Sequence, residues 1–178
     1  MIYPYISGIN YESVADGPGV RVAIFLSGCT HNCPGCHNKQ THDPSFGQQI
    51  DDQLIDEIAA QINSRPYLTG ITLTGGDPLY NADHTYSFLE ALMARLLKKY
   101  TLSVWLYTGY TWEQILSKLN NNLSLQLLMD ACEVVVDGPF MMQYADKALA
   151  FCGSSNQRLI DVEYSLNKGV LTLWNAET

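Results

Sequence analysis

The chain contains no apolar run approaching the ~20 residues that a membrane-spanning helix requires. Its start, Met1-Ile-Tyr-Pro-Tyr, lacks the basic region and apolar stretch of a secretory signal. Basic residues are few, ten against eighteen acidic ones, and the formal net charge is −8. They form no cluster, and the pair Lys98-Lys99 reads only as a helix end. With no basic patch to neutralise phosphates, nucleic acid is not expected as a direct substrate. Low-complexity tracts and strong short repeats are absent too. These absences predict a soluble, cytoplasmic protein without membrane contact, whose acidity serves solubility. At 178 residues, 47% of them hydrophobic, residues 1–178 suffice for one substantial core and are expected to form a single domain.

Cysteine is also scarce, and its placement is informative. Five cysteines, an odd number, do not suggest a disulfide framework. Cys132 and Cys152 are isolated and read as inert packed thiols. Cys29, Cys33 and Cys36, by contrast, fall within eight residues of the stretch from Ser27 to Asn38. Thiolates so crowded repel one another unless a cation holds them, so a metal is the expected occupant. A closed zinc site wants four ligands, typically in two separated pairs, and a ferredoxin-type cluster wants a fourth cysteine. No second cysteine pair follows. A 4Fe–4S cube held by three thiolates leaves one iron open to a small-molecule ligand. Zinc completed by His31 or His37 is the competing occupant.

The cysteine loop follows the apolar run Val20 to Ser27, which predicts a buried strand. Before it, residues 1–19 predict an opening segment with a short strand, and Asp16-Gly-Pro-Gly predicts a turn. Arg21 reads as a surface charge on a strand, or as a partner for a carboxylate at the site. A helix is expected from Asp51 to Ile62, with acids at its N-terminal end where the dipole favours them. Gly70 to Thr74 is the next strand, closed by Gly75-Gly76-Asp77-Pro78, where glycines let a ligand approach bare backbone and Asp77 offers an anion for an ammonium group. A helix over Thr85 to Tyr100, a strand over Leu102 to Tyr107, and a helix over Trp112 to Leu119 capped by Thr111 follow. Leu123 to Met129 is a short apolar piece, and Glu133 to Asp137 a fourth strand closed by Gly138-Pro139. The tail offers a loop with a helical turn over Phe140 to Phe151 and the polar cluster Gly153-Ser-Ser-Asn-Gln-Arg158, read as a turn and cap or as a ligand contact. A strand at Leu159 to Val162 and a terminal hairpin around Lys168-Gly169 complete it.

Strands and helices alternate, and the suspicious residues fall at strand ends. That pattern argues for an α/β fold with a mostly parallel sheet binding its ligand at the carboxyl edge, and units too few to close favour an open, partial (β/α) barrel.

The spacing Cys-x3-Cys-x2-Cys resembles the signature of radical S-adenosylmethionine (SAM) enzymes. With Gly75-Gly-Asp-Pro78, Trp105 to Tyr110, Val136 to Phe140 and Gly153 to Arg158 added, the chain from about Asp16 to Val162 resembles the activating proteins of the anaerobic ribonucleoside-triphosphate reductase, which activate a glycyl-radical enzyme. The resemblance implies the radical SAM type of partial barrel, a 4Fe–4S cluster with Cys29, Cys33 and Cys36 as ligands, and SAM chelated by the fourth iron. It implies an electron from a low-potential donor such as a flavodoxin, reductive cleavage of SAM to a 5′-deoxyadenosyl radical, and a glycyl radical left on the large reductase subunit. Gly35, Cys36 and His37 would lie along the adenine; Gly75, Gly76 and Asp77 would meet the methionine amino group. No side-chain general base is expected. Many superfamily members carry an aromatic residue where this chain has Gly35, and Glu where it has Asp77. An activator of another glycyl-radical enzyme, or another small radical SAM enzyme, is the nearest alternative; a structural zinc module is the alternative of a different class.

Overall fold

A computed structural model of the chain describes residues 2–98 and 101–175. Seven strands form one sheet: β1 (Tyr5–Ser13), β2 (Arg21–Leu26), β3 (Gln48–Gln49), β4 (Gly70–Gly75), β5 (Ser103–Tyr107), β6 (Val134–Asp137) and β7 (Arg158–Asp161). Five α-helices accompany them: α1 (Asp52–Asn63), α2 (Ala82–Arg95), α3 (Trp112–Leu119), α4 (Leu123–Ala131) and α5 (Val162–Lys168).

The spatial order is β3-β1-β2-β4-β5-β6-β7. The β2–β4, β4–β5 and β5–β6 pairings are parallel, while β1–β3, β1–β2 and β6–β7 are antiparallel. The sheet is therefore mixed, which corrects the expectation of a mostly parallel one. Among the described residues the two edge strands do not pair, so the sheet is open and no barrel is established by its pairing. The cause of the reversals lies in the connections. Only residues 14–20 join β1 to β2, too few for the crossover that parallel neighbours need, and residues 138–157 carry no α-helix to bring β7 round in parallel.

Each helix begins where a side chain takes up a free backbone amide. Asp51, Asn81, Thr111, Asn122 and Asp161 accept from Leu54, His84, Gln114, Leu125 and Tyr164 respectively. Thr111 and Gln114 form a full capping box. The apolar piece after Asn122 is thus a helix, and the terminal hairpin is replaced by α5, stopped by Gly169 at φ 66°, with Trp174 N returning to Leu159 O at 2.8 Å. The predicted helix over Thr85 to Tyr100 starts at Ala82 and ends at Arg95; Lys99 and Tyr100 lie outside the described residues. Asn63 ends it, donating to Arg95 O at 3.1 Å and accepting from Leu97 N at 3.0 Å.

All five helices share one core with one face of the sheet, including Val22, Ile24, Leu26, Ile71, Leu73, Val104, Leu106, Val135 and Ile160. Alternate strand residues face the other way, where Trp105, Val134 and Val136 pack with Tyr107, Phe151, Leu159 and Trp174. The central parallel strands are thus covered on both faces, as such strands require. Ile55 and Ile58 of α1 are fully buried, each worth about 1.5–3 kcal/mol. Cys132 belongs to the main core and its thiol is pushed up to about 12 by burial; Cys152 joins the smaller cluster and is pushed up to about 11, by burial and then by the charge of Asp137.

Arg21 is neither on the surface nor at the carboxyl edge. It is 0% exposed at the start of β2, and its guanidinium donates to Thr72 Oγ1, Ser103 Oγ, Ile71 O and Ser103 O at 2.8–3.0 Å while stacking on Trp105. Burial lowers it to about 10. No helix among the described residues is long and apolar enough to cross a membrane.

Candidate metal centre

The four parallel strands all deliver their carboxyl ends to one cleft of about 210 Å3. From the loop after β2 come Cys29, His31, Cys33, Cys36 and His37; from the end of β4 and beyond, Thr74, Gly75 and Gly76. After β5 and β6, Thr108, Gly109, Gly138 and Phe140 complete the rim with Gly153 and Gln157. Every sequence-predicted site residue except Gly35 and Asp77 lines this cleft.

The cysteine loop is tightly folded by short-range chemistry. Cys36 N donates to Cys33 O at 3.1 Å, and Gly35 sits at φ 79°, the pattern of a type II turn with Pro34 at its second position. That turn brings Cys33 and Cys36 to the same side. A side chain at Gly35 would strike Met142 Cε at 2.5 Å, so the turn is roofed by the chain after β6. Gly28 N donates to Thr41 O at 2.8 Å, Cys29 N to His42 O at 3.4 Å, and Asp77 N to Gly28 O at 2.8 Å. The loop is therefore stitched on both flanks. Gly76 is required by this closeness, because a Cβ there would stand 2.6 Å from Gly28 O.

Asp77 is placed differently from its expected exposure to a ligand. Its carboxylate is 2% exposed and accepts from Thr108 Oγ1, from Gly109 N at 3.0 Å and from Leu79 N at 2.8 Å, with His31 Nε2 at 2.6 Å. The acid thus ties the cysteine loop to the ends of β4 and β5. Tyr110 packs edge-on to His31, with ring centroids 4.6 Å apart. Sequence reading named His31 and Asp77 separately; their pairing across 46 positions had no local signal beyond Thr108-Gly109 lying, like Asp77, just past a strand end.

The polar cluster before β7 is largely committed to structure. Gln157 accepts from Gly153 N and Ser154 N and donates to Gly138 O, while Asn156 donates to Pro139 O. Arg158 bridges Asp137 and Glu113, pinning β6 to the start of α3.

The cysteines suit an iron–sulfur cluster. Burial raises the Cys29 thiol, with Asp77 and Cys33 adding to the rise, against the His31 and Asn32 amides. Burial likewise raises Cys33, joined by the charges of Cys36 and Asp77 and opposed by the Phe140 amide. The surroundings alone thus disfavour thiolates, and a bound cation must draw the protons off. Among the described residues no three His, Cys, Asp or Glu side chains converge as one metal ion requires. A cubane asks something else, that each thiolate reach a different iron. The donor set of three sulfurs, sharing one cleft with Gly75 and Gly76, fits that demand.

Residues 15–160 match the family model described as a 4Fe-4S single cluster domain. The chain is 36% identical over 147 residues to the anaerobic ribonucleoside-triphosphate reductase-activating protein of Salmonella typhimurium, covering 81% of this chain and 90% of the relative. It is 35% identical to the proteins of the same name from Enterobacteria phage T4, over 85% of this chain and 93% of that one, and from Escherichia coli K12, over 81% and 90%. The chain belongs to the family of anaerobic ribonucleoside-triphosphate reductase-activating proteins and carries the 4Fe-4S single cluster domain.

Proposed function

We propose that this chain is a radical SAM activating enzyme that generates a glycyl radical on the large subunit of an anaerobic ribonucleotide reductase. The observation that carries the reading is the delivery of three cysteines, and no fourth, into a cleft that Gly75 and Gly76 also line. Cys29, Cys33 and Cys36 would hold a 4Fe–4S cluster. When bound and reduced by a low-potential donor such as a flavodoxin, cluster and SAM together would supply the reductive cleavage and the hydrogen abstraction that leaves the partner's glycyl radical.

The chain's own residues position and shield. Gly75 and Gly76, without side chains, let the methionine end of SAM approach the backbone at the end of β4, and Gly35, Cys36 and His37 border its adenine. Asp77 acts at one remove, holding His31 and the Thr108-Gly109 turn in place. Phe140 and Met142 cover the cysteine turn with apolar surface, which keeps water from the reacting atoms. No side chain is assigned as a general base.

The test is anaerobic reconstitution with iron and sulfide, followed by SAM, dithionite and the large reductase subunit. Four irons per chain, 5′-deoxyadenosine, and a glycyl radical in the electron paramagnetic resonance spectrum of the partner are expected, all lost in Cys29→Ala. A colourless protein carrying one zinc and inert toward SAM would sink the proposal. Deoxyadenosine formed without a radical on that partner would redirect it to another glycyl-radical enzyme.

A further inference from the structure

We propose that His42 donates a hydrogen bond from Nε2 to a sulfur of the cluster held by Cys29, Cys33 and Cys36, and thereby sets the cluster's reduction potential. The inference rests on the cluster reading above. His42 closes the short 3-10 turn Lys39–His42 and lines the same cleft as the three cysteines. Its Nε2 is shut off from solvent and has no partner. Of the described residues, Trp105 Nε1 and Asn156 Oδ1 share that condition, and neither residue lines the cleft.

Most other polar side chains lining the cleft are already committed; among the described residues His37 and Thr74 make no side-chain hydrogen bond, but His37 is exposed and Thr74 has no polar atom sealed from solvent. His31 and Thr108 hold Asp77, Asn38 donates to Gly75 O at 3.3 Å, Tyr107 donates to Phe151 O at 2.8 Å, and Gln157 serves the backbone at Gly138, Gly153 and Ser154. His42 keeps an unspent polar atom. Its backbone is fixed, since His42 O accepts from Cys29 N at 3.4 Å and Thr41 O from Gly28 N at 2.8 Å, so the ring is anchored beside the first cysteine. A buried ring nitrogen without a partner is costly, and for the tautomer with the proton on Nε2 a cluster would bring sulfur acceptors into this cleft. Hydrogen bonds to cluster sulfurs stabilise the extra negative charge of the reduced state and raise the potential.

The experiment compares wild type, His42→Phe and His42→Gln after anaerobic reconstitution, with iron and sulfide counted and the cluster titrated potentiometrically without SAM. Four irons per chain are expected in all three. In His42→Phe about tenfold less of the cluster should be reduced at a fixed ambient potential, a fall of about 59 mV for one electron. His42→Gln, which keeps an N–H donor, should recover at least half of it. An unchanged potential in His42→Phe with a full cluster overturns the inference and leaves the proposed function standing. So does a variant whose SAM affinity alone weakens, which would assign the bond to SAM's carboxylate. Iron below four in either variant, with wild type full, overturns it in favour of ligation or folding. Wild type that assembles no cluster overturns both this inference and the functional reading.

Discussion

Asp77 and Arg21 are buried charges at opposite ends of the same parallel strands, 2% and 0% exposed, and neither is matched by a fixed opposite charge. Arg21 gives its protons to Thr72, Ser103 and backbone carbonyls within the strands. Asp77 receives hydrogen bonds from a threonine and two amides, and its remaining contact is a histidine of the cysteine loop. Neutral dipoles stabilise both, but what they tie differs: Arg21 clamps strand bodies, whereas Asp77 clamps the loops that carry the chemistry. The same device thus serves rigidity at one edge and positioning at the other.

That contrast is open to two tests. Arg21→Ala should be the most damaging to stability, costing about 3 kcal/mol or more through lost volume and orphaned acceptors, and lowering the melting temperature on the order of 10 °C. Cluster content per folded molecule should be unchanged, as iron analysis of the soluble fraction would show. Asp77→Asn should cost less, about 1–3 kcal/mol, yet lower SAM cleavage more than tenfold with iron retained. If the order reverses, with Asp77→Asn harming only stability and Arg21→Ala only turnover, the distinction between the two edges is wrong.

The smallest effect lies at the Arg158 bridge. Hydrogen bonding from Arg158 holds the Glu113 carboxyl down to about 2 from its ordinary 4.5. A lowered carboxyl contributes stability that is fully present above its unfolded value and is lost as pH falls through the folded one. Wild type should therefore lose melting temperature between about pH 5 and pH 2, and Glu113→Gln should flatten part of that slope. Because Glu113 is largely exposed, the difference should stay under about 1 kcal/mol.

Local signals carried much of the architecture. Thr111 as N-cap marked α3 to the residue, and the Gly-bearing stops after β2, β4, β5 and β6 put the cleft at the carboxyl edge. What escaped depended on distant partners. Arg21 reads as a surface charge because Thr72 and Ser103, 51 and 82 positions away, are what bury it. β1, at nine residues, was underestimated because Gly8, Asn10 and Glu12 break its apolar pattern where its outer face stays open. The antiparallel β7 was legible in principle, since the stretch before it offers no helical period. The His31–Asp77 contact was not, because a hydrogen bond between two loops leaves no periodicity.

The stitching of Gly28 and Cys29 to Thr41 and His42 on one flank, and to Asp77 on the other, has a consequence for repair. A nest whose walls are already hydrogen-bonded need not collapse when its inorganic contents are oxidised away. Damage of that kind would leave an intact shell, rechargeable with fresh iron and sulfide, without resynthesis of the polypeptide.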